Sequence, residues 1–346
     1  MKSEAEVLST RSPELFQAAV ARAADLLRAG AVVALPTETV YGLAANALDP
    51  EAVARVFEIK GRPRSNPVIV HVASREMARR CVARWPEAAD KLAAAFWPGP
   101  LTLVLPKSGE IPDIVTAGGG TVGVRWPAHP FIQAVIRACG FPLAAPSANP
   151  FGDLSPTTAG HVRKNLGAKI PLIIDGGQSQ VGIESTVLDL CAQPARVLRP
   201  GMIHLQSLRG VLGARGVQSG DRAADDASRE PRRSPGLLPK HYSPRARLVI
   251  RSWKDQGDFD AQIAALDSPR ERVQVLAHTV IPAGQGLGQV RVVPGEAGEF
   301  ARSIYAELHR CDDEGAAVIV VEAFPAAAEW QGIADRLHRA AGGQKV

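Results

Sequence analysis

The sequence AVVAL (residues 31–35) runs directly into PTETVYGL (residues 36–43). The first segment is short, apolar and rich in β-branched residues, and a proline ends it, which predicts a buried β-strand. The second places two hydroxyls, a carboxylate and a phenol just beyond that strand. Because ligands of open α/β sheets gather beyond the carboxyl ends of strands, it is a candidate binding site. A polar turn, with Thr37 or Thr39 capping a backbone group, is an equally good interpretation.

Strands and helices alternate on both sides of this segment, which predicts an α/β fold. An amphipathic helix is predicted over residues 14–29, with Ser12 as its N-cap, and another over 50–60. Because several strands follow in close succession, we expect a mixed sheet. The other strands predicted here are 68–72, 101–105, 121–125, 143–145, 172–174, 186–190 and 197–198, and the other helices are 75–95, broken at Pro86, 129–139 and 157–166.

The pattern changes after residue 206. Residues 207–245 are rich in Ser, Asp, Arg, Gly and Pro and predict an interdomain linker or lid. Beyond them, strands and helices alternate again, which predicts a smaller α/β domain. The sequence thus predicts a first domain over 1–206, the linker over 207–245 and a C-terminal domain over 246–346. In that domain the predicted strands are 247–250, 273–277, 290–293 and 317–321, and the predicted helices are 258–266, 297–311 and 329–341.

Composition sets broad limits on function. Of the 346 residues, 46% are hydrophobic and 22% charged, which is typical of a globular protein. The net charge of +5 modestly favours anionic ligands such as nucleotides or RNA. The four cysteines lie far apart without a CxxC pair, so reduced thiols in a cytosol are expected rather than a zinc site. No segment has the pattern of a signal peptide or a membrane span, and we expect a cytoplasmic protein without membrane contact.

A basic loop, KGRPRSNP (residues 60–67), precedes the strand that carries His71. Its three cations, Lys60, Arg62 and Arg64, could hold a polyphosphate, with Asn66 adding a donor and an acceptor. The alternative is a solvated basic loop, which is the commoner fate of such runs.

Three further segments carry groups that could bind an anionic ligand. Arg125 ends the strand 121–125 and could bind a carboxylate bidentately. The small residues of AAPSAN (144–149), followed by Ser155, would let a ligand approach the backbone. EST (184–186) is followed by Arg199, and each segment could also be an ordinary turn or cap. The sequence contains no GxxxxGK[ST] phosphate loop, kinase motif set or GxSxG elbow.

In this order, the five segments resemble the YrdC superfamily, in the long two-domain form of the L-threonylcarbamoyladenylate synthases. The resemblance covers residues 14–206 densely. It resumes at SPG (234–236) and at HYSP (241–244), which match the family's interdomain linker. It implies a YrdC-like twisted, open mixed sheet with helices, and a smaller Rossmann-like C-terminal α/β domain.

The resemblance also implies roles for single residues, and it assigns none to a metal. Lys60 and Arg62 would stabilise phosphate charge during catalysis, and Glu184 is a weaker candidate for an indirect role. The threonine pocket would be lined by Thr39, His71, Arg125, Ala145 and Ser185. ATP would be contacted by Arg62, Asn66, Thr121, Ser147, Ser155 and Arg199, and by Tyr242, which would close over it from the linker.

The family joins ATP, bicarbonate and L-threonine and releases pyrophosphate and threonylcarbamoyl-AMP, with Mg²⁺ expected to accompany ATP. A separate tRNA threonylcarbamoyl transferase complex then modifies adenosine 37 of tRNA. That complex is an expected downstream partner, and tRNA is a candidate one. The alternatives are a non-catalytic double-stranded RNA-binding protein, and carbamoyl transfer in metallocentre maturation, a role that normally comes with acylphosphatase and zinc-finger domains.

Overall fold

A computed structural model describes residues 4–220 and 242–342 of the chain. The described residues form two compact units. The first contains residues 4–151 and 155–220, and the second contains Gly152–Leu154 and residues 242–342. The predicted linker motif at 234–236 and His241 lie outside the described residues.

The first unit combines eleven strands and seven helices within its described residues. Its strands are β1 (Glu6–Ser9), β2 (Val33–Leu35), β3 (Gly42–Asn46), β4 (Val70–His71), β5 (Leu101–Pro106), β6 (Thr121–Arg125), β7 (Leu143–Ala144), β8 (Leu172–Asp175), β9 (Thr186–Asp189), β10 (Ala195–Arg199) and β11 (Val217–Ser219). Its helices are α1 (Pro13–Arg28), α2 (Pro50–Lys60), α3 (Arg75–Arg80), α4 (Glu87–Phe96), α5 (Pro130–Cys139), α6 (Ala159–Leu166) and α7 (Leu205–Leu212).

These strands form one mixed sheet, in the order β1-β8-β2-β3-β7-β4-β6-β5-β9-β10-β11. The sheet contains parallel pairs, such as β4 with β6, and antiparallel pairs, such as β5 with β6. The expected mixed sheet is therefore confirmed. The β4–β6 pairing sets His71 opposite Arg125. These two residues, both predicted to bind the substrate threonine, therefore lie at the same end of two neighbouring strands.

Helices cover both faces of this sheet. Val33 and Leu35 of β2 pack in a core cluster with residues of α1 and α5, whereas Ala34 between them packs in a cluster with residues of α2 and α6. The alternation follows from the two-residue period of a strand. Because β2 is buried on both sides, the polar segment after it emerges from the interior of the unit.

The helix predicted over residues 50–60 is confirmed residue for residue. Asp49 caps it by accepting from the backbone N–H groups of Glu51 and Ala52, and Pro50 occupies its first turn. Gly61 ends it in the left-handed conformation, at φ 63°. The basic loop begins at this glycine, so the helix end fixes where the loop starts.

The structure differs from the predictions in four places. Strands β1 and β3 were not predicted, since the first lies in a polar N-terminal stretch and the second continues a segment interpreted as a site or turn. Helix α7 extends into the predicted linker and strand β11 lies within it, and β11 pairs in parallel with β10. The regular structure of the first unit thus extends beyond residue 206.

The second unit contains a four-stranded parallel sheet, which confirms the prediction of a smaller Rossmann-like domain. Its order is β12-β15-β13-β14, from β12 (Arg247–Arg251), β13 (Val273–Ala277), β14 (Gln289–Val292) and β15 (Val318–Glu322). Its helices are α8 (Gln256–Ala264), α9 (Ala297–Asp313) and α10 (Gln331–Ala340). Among the described residues of both units, no helix is long and apolar enough to cross a membrane.

Gly201 provides a test of the packing around β9. A Cβ atom at this residue would lie 2.6 Å from the Thr186 nitrogen and 2.9 Å from the Glu184 oxygen, both backbone atoms. We expect Gly201→Ala to lower the free energy of unfolding by about 1–3 kcal/mol, because the backbone must move. The control is Gly160→Ala in helix α6, where the nearest atom is 3.7 Å from the added Cβ. Denaturant unfolding should show no loss of stability in the control, and equal stability of the two variants would contradict the prediction.

Candidate active site

Arg125 is the centre of the site at the end of β6. Its side chain is 4% exposed and lies 2.7 Å from the carboxylate of Glu38, which is also buried. Its Nη1 donates to Thr39 Oγ1 at 2.9 Å, and its Nε donates to the Gly99 carbonyl at 3.3 Å. The end of β6 is thereby joined to the segment after β2.

His71 lies beside Arg125 in the neighbouring strand. Burial, and secondarily the positive charge of Arg125, lower the pKa of His71 to about 3. The imidazole is therefore neutral near pH 7. Its Nδ1 is buried without a hydrogen-bond partner in the described structure, which leaves a polar atom for a ligand.

A chain of hydroxyl contacts joins two other predicted residues. Arg199 donates from Nε to the Ser185 carbonyl and from Nη2 to Ser185 Oγ, both at 3.1 Å. Ser185 Oγ lies 2.8 Å from Thr102 Oγ1. Arg199, predicted to contact ATP, and Ser185, predicted to line the threonine pocket, are therefore in direct contact.

A small cavity of about 10 Å³, with room for about one water molecule, lies beside this chain. It is lined by both Thr102 and the predicted ATP residue Thr121. Gly123 forms part of its wall, and a Cβ atom there would come within 3.2 Å of Thr102 Cγ2. Thr102, which sequence analysis missed, thus contacts Ser185 and lines the same cavity as Thr121. An interior threonine of an apolar strand gives no local signal of this role.

The basic loop folds around its own backbone. Arg62 is buried, and its Nε and Nη2 donate to the carbonyls of Asn66 and Pro67 at 3.0 and 2.8 Å. Its guanidinium also lies 5.8 Å from the ring centroid of Phe151. The amide oxygen and nitrogen of Asn66 are both buried without a hydrogen-bond partner in the part of the chain described. The interpretation of this loop as merely solvated is wrong for Arg62 and Asn66, whereas Arg64 is exposed.

Lys60 connects this loop to the segment of small residues. Its Nζ is bound to the carbonyls of Ser147 and Asn149, each at 2.5 Å. Ser147 in turn forms an isolated bridge with Gly42, the residue that opens β3. The lysine therefore orients the 147–149 backbone, and its expected contact with phosphate stays a prediction.

The remaining predicted residues are placed as follows. Ala145 is buried, and its methyl group would lie 3.3 Å from a Cβ at Gly42, so this glycine keeps the two segments close. Ser155 donates to Glu184 Oε1 at 2.5 Å in the first unit. Tyr242 belongs to the second unit, where its ring centroid lies 5.3 Å from the Arg336 guanidinium and 6.2 Å from that of Tyr305. Its proposed closure over ATP stays a prediction.

Buried polar atoms without an aligned partner are concentrated at this site. In residues 4–220 and 242–342, six of the eleven such side-chain atoms belong to Glu38, Asn66, His71 and Arg125. Native proteins leave few such groups unsatisfied, so a cluster of them indicates a ligand site. Over the same ranges, no three His, Cys, Asp or Glu side chains are grouped so that they could hold a metal ion.

The buried state of His71 makes a pH-dependent prediction. The unfolded chain binds a proton at this histidine below about pH 6.5, whereas the folded protein does not until about pH 3. The free energy of unfolding should therefore fall, from this residue alone, by about 1.4 kcal/mol per pH unit as the pH drops through this window. His71→Asn should remove that part of the slope in thermal unfolding.

NMR of the histidine ring protons provides the direct measurement. The resonances that disappear in His71→Asn should not shift between about pH 5 and 8 in the wild type. A midpoint near neutral pH would contradict the neutral, buried imidazole.

Comparison with known proteins places this geometry in a family. Residues 25–201 match the Sua5–YciO–YrdC profile described as "Telomere recombination", and residues 203–342 match the profile described as "Threonylcarbamoyl-AMP synthase, C-terminal domain". The threonylcarbamoyl-AMP synthase of Pyrococcus abyssi is 40% identical over 92% of this chain and 93% of its own length. The Bacillus subtilis protein of the same name is 38% identical over 98% and 96%.

A solved structure agrees over the same length. The crystal structure of P. abyssi Sua5 complexed with L-threonine superposes with a TM-score of 0.87 at 37% identity, and covers 99% of this chain and 98% of that one. With two matching profiles and full-length relatives, the chain belongs to the Sua5–YciO–YrdC family.

Proposed function

We propose that this protein is an L-threonylcarbamoyladenylate synthase, which converts ATP, bicarbonate and L-threonine into threonylcarbamoyl-AMP and pyrophosphate. The observation that carries the proposal is the set of buried cations in the first unit, Arg62, Arg125 and Arg199. The relatives that match nearly the whole chain bear this enzyme name. The product would serve the threonylcarbamoylation of adenosine 37 in tRNA.

The reaction explains why the site is rich in cations and hydroxyls and needs no protein nucleophile. The threonine amine and bicarbonate give a carbamate and water, and the carbamate oxygen attacks the α-phosphorus of ATP as pyrophosphate leaves. Both reactants are anionic, so repulsion and alignment dominate the barrier. Positive groups fixed before the reaction lower that barrier without the cost of reorganisation.

The threonine side of the site is proposed at Arg125 and its neighbours. A guanidinium can bind a carboxylate bidentately, and Arg125 Nη2 lacks an aligned hydrogen bond in the described structure. Neutral His71 and the hydroxyl of Thr39 lie within the same group of contacts. The relative from P. abyssi, which is 37% identical, was solved with L-threonine bound, which supports this assignment.

The ATP side is proposed at the basic loop and the hydroxyl chain. Arg62 and Arg199 each donate to backbone carbonyls, which fixes the positions of their charges. Asn66 offers a donor and an acceptor that have no partner among the described residues, and Thr121 lines the small cavity beside Thr102. These groups suit a nucleotide with its phosphates.

We also propose that Mg²⁺ accompanies ATP. Mg²⁺ usually keeps several waters and binds through substrate phosphates with one or two carboxylates. Glu184, held by Ser155 at 2.5 Å, is a buried carboxylate beside a predicted ATP residue. This donor set fits a cation bound chiefly by the nucleotide, whose charge the ion would neutralise.

Bicarbonate, tRNA and the transferase complex belong to the proposal as co-substrate, candidate partner and downstream partner. A cytoplasmic location is proposed with them, and the described cysteines are all free thiols. The RNA-binding alternative is less favoured, because the cations at 62, 125 and 199 are buried, whereas phosphate-backbone recognition needs them on the surface.

Substrate dependence tests the function. Pyrophosphate release from ATP should require L-threonine and bicarbonate together, because neither alone supplies the attacking carbamate. Omission of each in turn, followed by a coupled phosphate assay, measures this. Release at an unchanged rate without L-threonine would refute the proposal.

The basic loop offers a matched pair of variants. Arg62→Ala should lower pyrophosphate release at least about a hundredfold, because a fixed charge near the phosphates is lost. Arg64→Ala in the same loop removes an exposed arginine and should change the rate only slightly. Circular dichroism should show both variants folded. Equal rates for the two would mean that Arg62 has no special role.

A further inference from the structure

Glu38 is the buried carboxylate of the site to which no role has been given above. It is 6% exposed and lies 2.7 Å from Arg125 Nη2. The contact is short but poorly aligned, because neither Glu38 oxygen nor Arg125 Nη2 has an aligned hydrogen-bond partner in the described structure. A pair built only to hold the fold would be expected to satisfy these atoms.

The chemistry of the amino acid substrate supplies what these atoms lack. Free L-threonine is a zwitterion, with a carboxylate and an ammonium on adjacent atoms. The residues assigned to the threonine pocket include one cation, Arg125, and no anion. An ammonium taken from water into a buried site needs acceptors or an opposite charge. The Glu38–Arg125 pair offers one group of each sign in contact.

The other titratable groups around Glu38 do not replace it. Arg125 faces it from β6, and His71 lies beside Arg125 on β4. His129, which caps α5, is close enough for Glu38 to act on its charge, and burial lowers the pKa of His129. Both imidazoles therefore favour the neutral form, so Glu38 is the negative charge that these elements supply.

We propose that Glu38 binds the α-ammonium of L-threonine while Arg125 binds its carboxylate, so that the ion pair recognises the zwitterion. The inference rests on the proposed function and deepens it. When the ammonium and bicarbonate give the carbamate, water and a proton, the nitrogen loses its positive charge, and the attraction to Glu38 is lost with it. The same carboxylate thus binds the substrate more tightly than the product.

The test compares two ligands by titration calorimetry on the full chain. One is L-threonine, and the other is the 2,3-dihydroxybutyrate of the same configuration, in which a hydroxyl replaces the ammonium. Wild-type protein should prefer L-threonine. Glu38→Gln should bind L-threonine at least about tenfold more weakly and should bind the analogue no more weakly than wild type, since Arg125 is retained.

Each other outcome overturns the inference. If Glu38→Gln lost the same affinity for both ligands, Glu38 would act only by positioning Arg125. If it lost affinity for neither ligand, Glu38 would have no part in binding. Equal binding of the two ligands by wild type would show, without any variant, that the ammonium is not recognised. Wild type that binds L-threonine weakly and releases no pyrophosphate with it would instead reject the proposed function.

A second buried carboxylate serves as the matched control. Glu322, at the end of β15 in the second unit, is 5% exposed and accepts from the backbone N–H groups of His278, Thr279 and Val280. Glu322→Gln should leave both affinities unchanged. A loss of L-threonine binding in this control as large as in Glu38→Gln would show a general effect of neutralising a buried acid, and would overturn the assignment.

Discussion

The burial of four cations in one unit is the constraint on which the site depends. Lys60, Arg62, Arg125 and Arg199 are each less than a tenth exposed. A charge removed from water must be paired or hydrogen-bonded, or the free energy of folding suffers by several kcal/mol. Backbone carbonyls accept hydrogen bonds from three of the four, Lys60, Arg62 and Arg199. These hydrogen bonds help to stabilise the buried cations inside the first unit.

The same contacts determine the shape of the loops. Arg62 donates to the carbonyls of Asn66 and Pro67, so the loop turns back towards it. Lys60 donates to the carbonyls of residues 147 and 149. Arg199 donates to the carbonyl of Ser185, directly before β9. Each loop follows or precedes a strand of the one mixed sheet. The strands therefore fix the ends of the loops, and the hydrogen bonds of the cations fix the loop backbone. These contacts within the protein fix the positions of the charges, and this is the condition under which electrostatic stabilisation is most effective.

Much of this could be predicted from sequence where local physics decides the structure. Helix α2 has a capping Asp49, a first-turn proline and a terminal glycine, and its bounds were predicted correctly. Strand β1 was missed, because its polar residues are stabilised by pairing with β8, more than 160 residues away. Strand β3 was missed because the turn signals before it outweigh its short, small-residue pattern. Helix α7 was missed because the polar composition of 207–220 resembles a linker, although Leu208 packs into the main core.

The candidate site shows the same division between local and distant information. Residues of the site that stand in unusual local patterns, such as the cations of 60–67, were found from the sequence. Glu38 was noted only as one polar group among several, since its meaning depends on Arg125, which lies 87 positions later and reaches it only when β6 and β2 share a sheet. Thr102 was missed for the same reason, because only the contact with Ser185 distinguishes it from a core threonine. A single sequence reveals which charges a protein carries, but the sign of the charge that faces each one is a property of the tertiary structure. In the proposed site, Arg125 alone would suit any anion, whereas the pair of Arg125 and Glu38 suits a zwitterion.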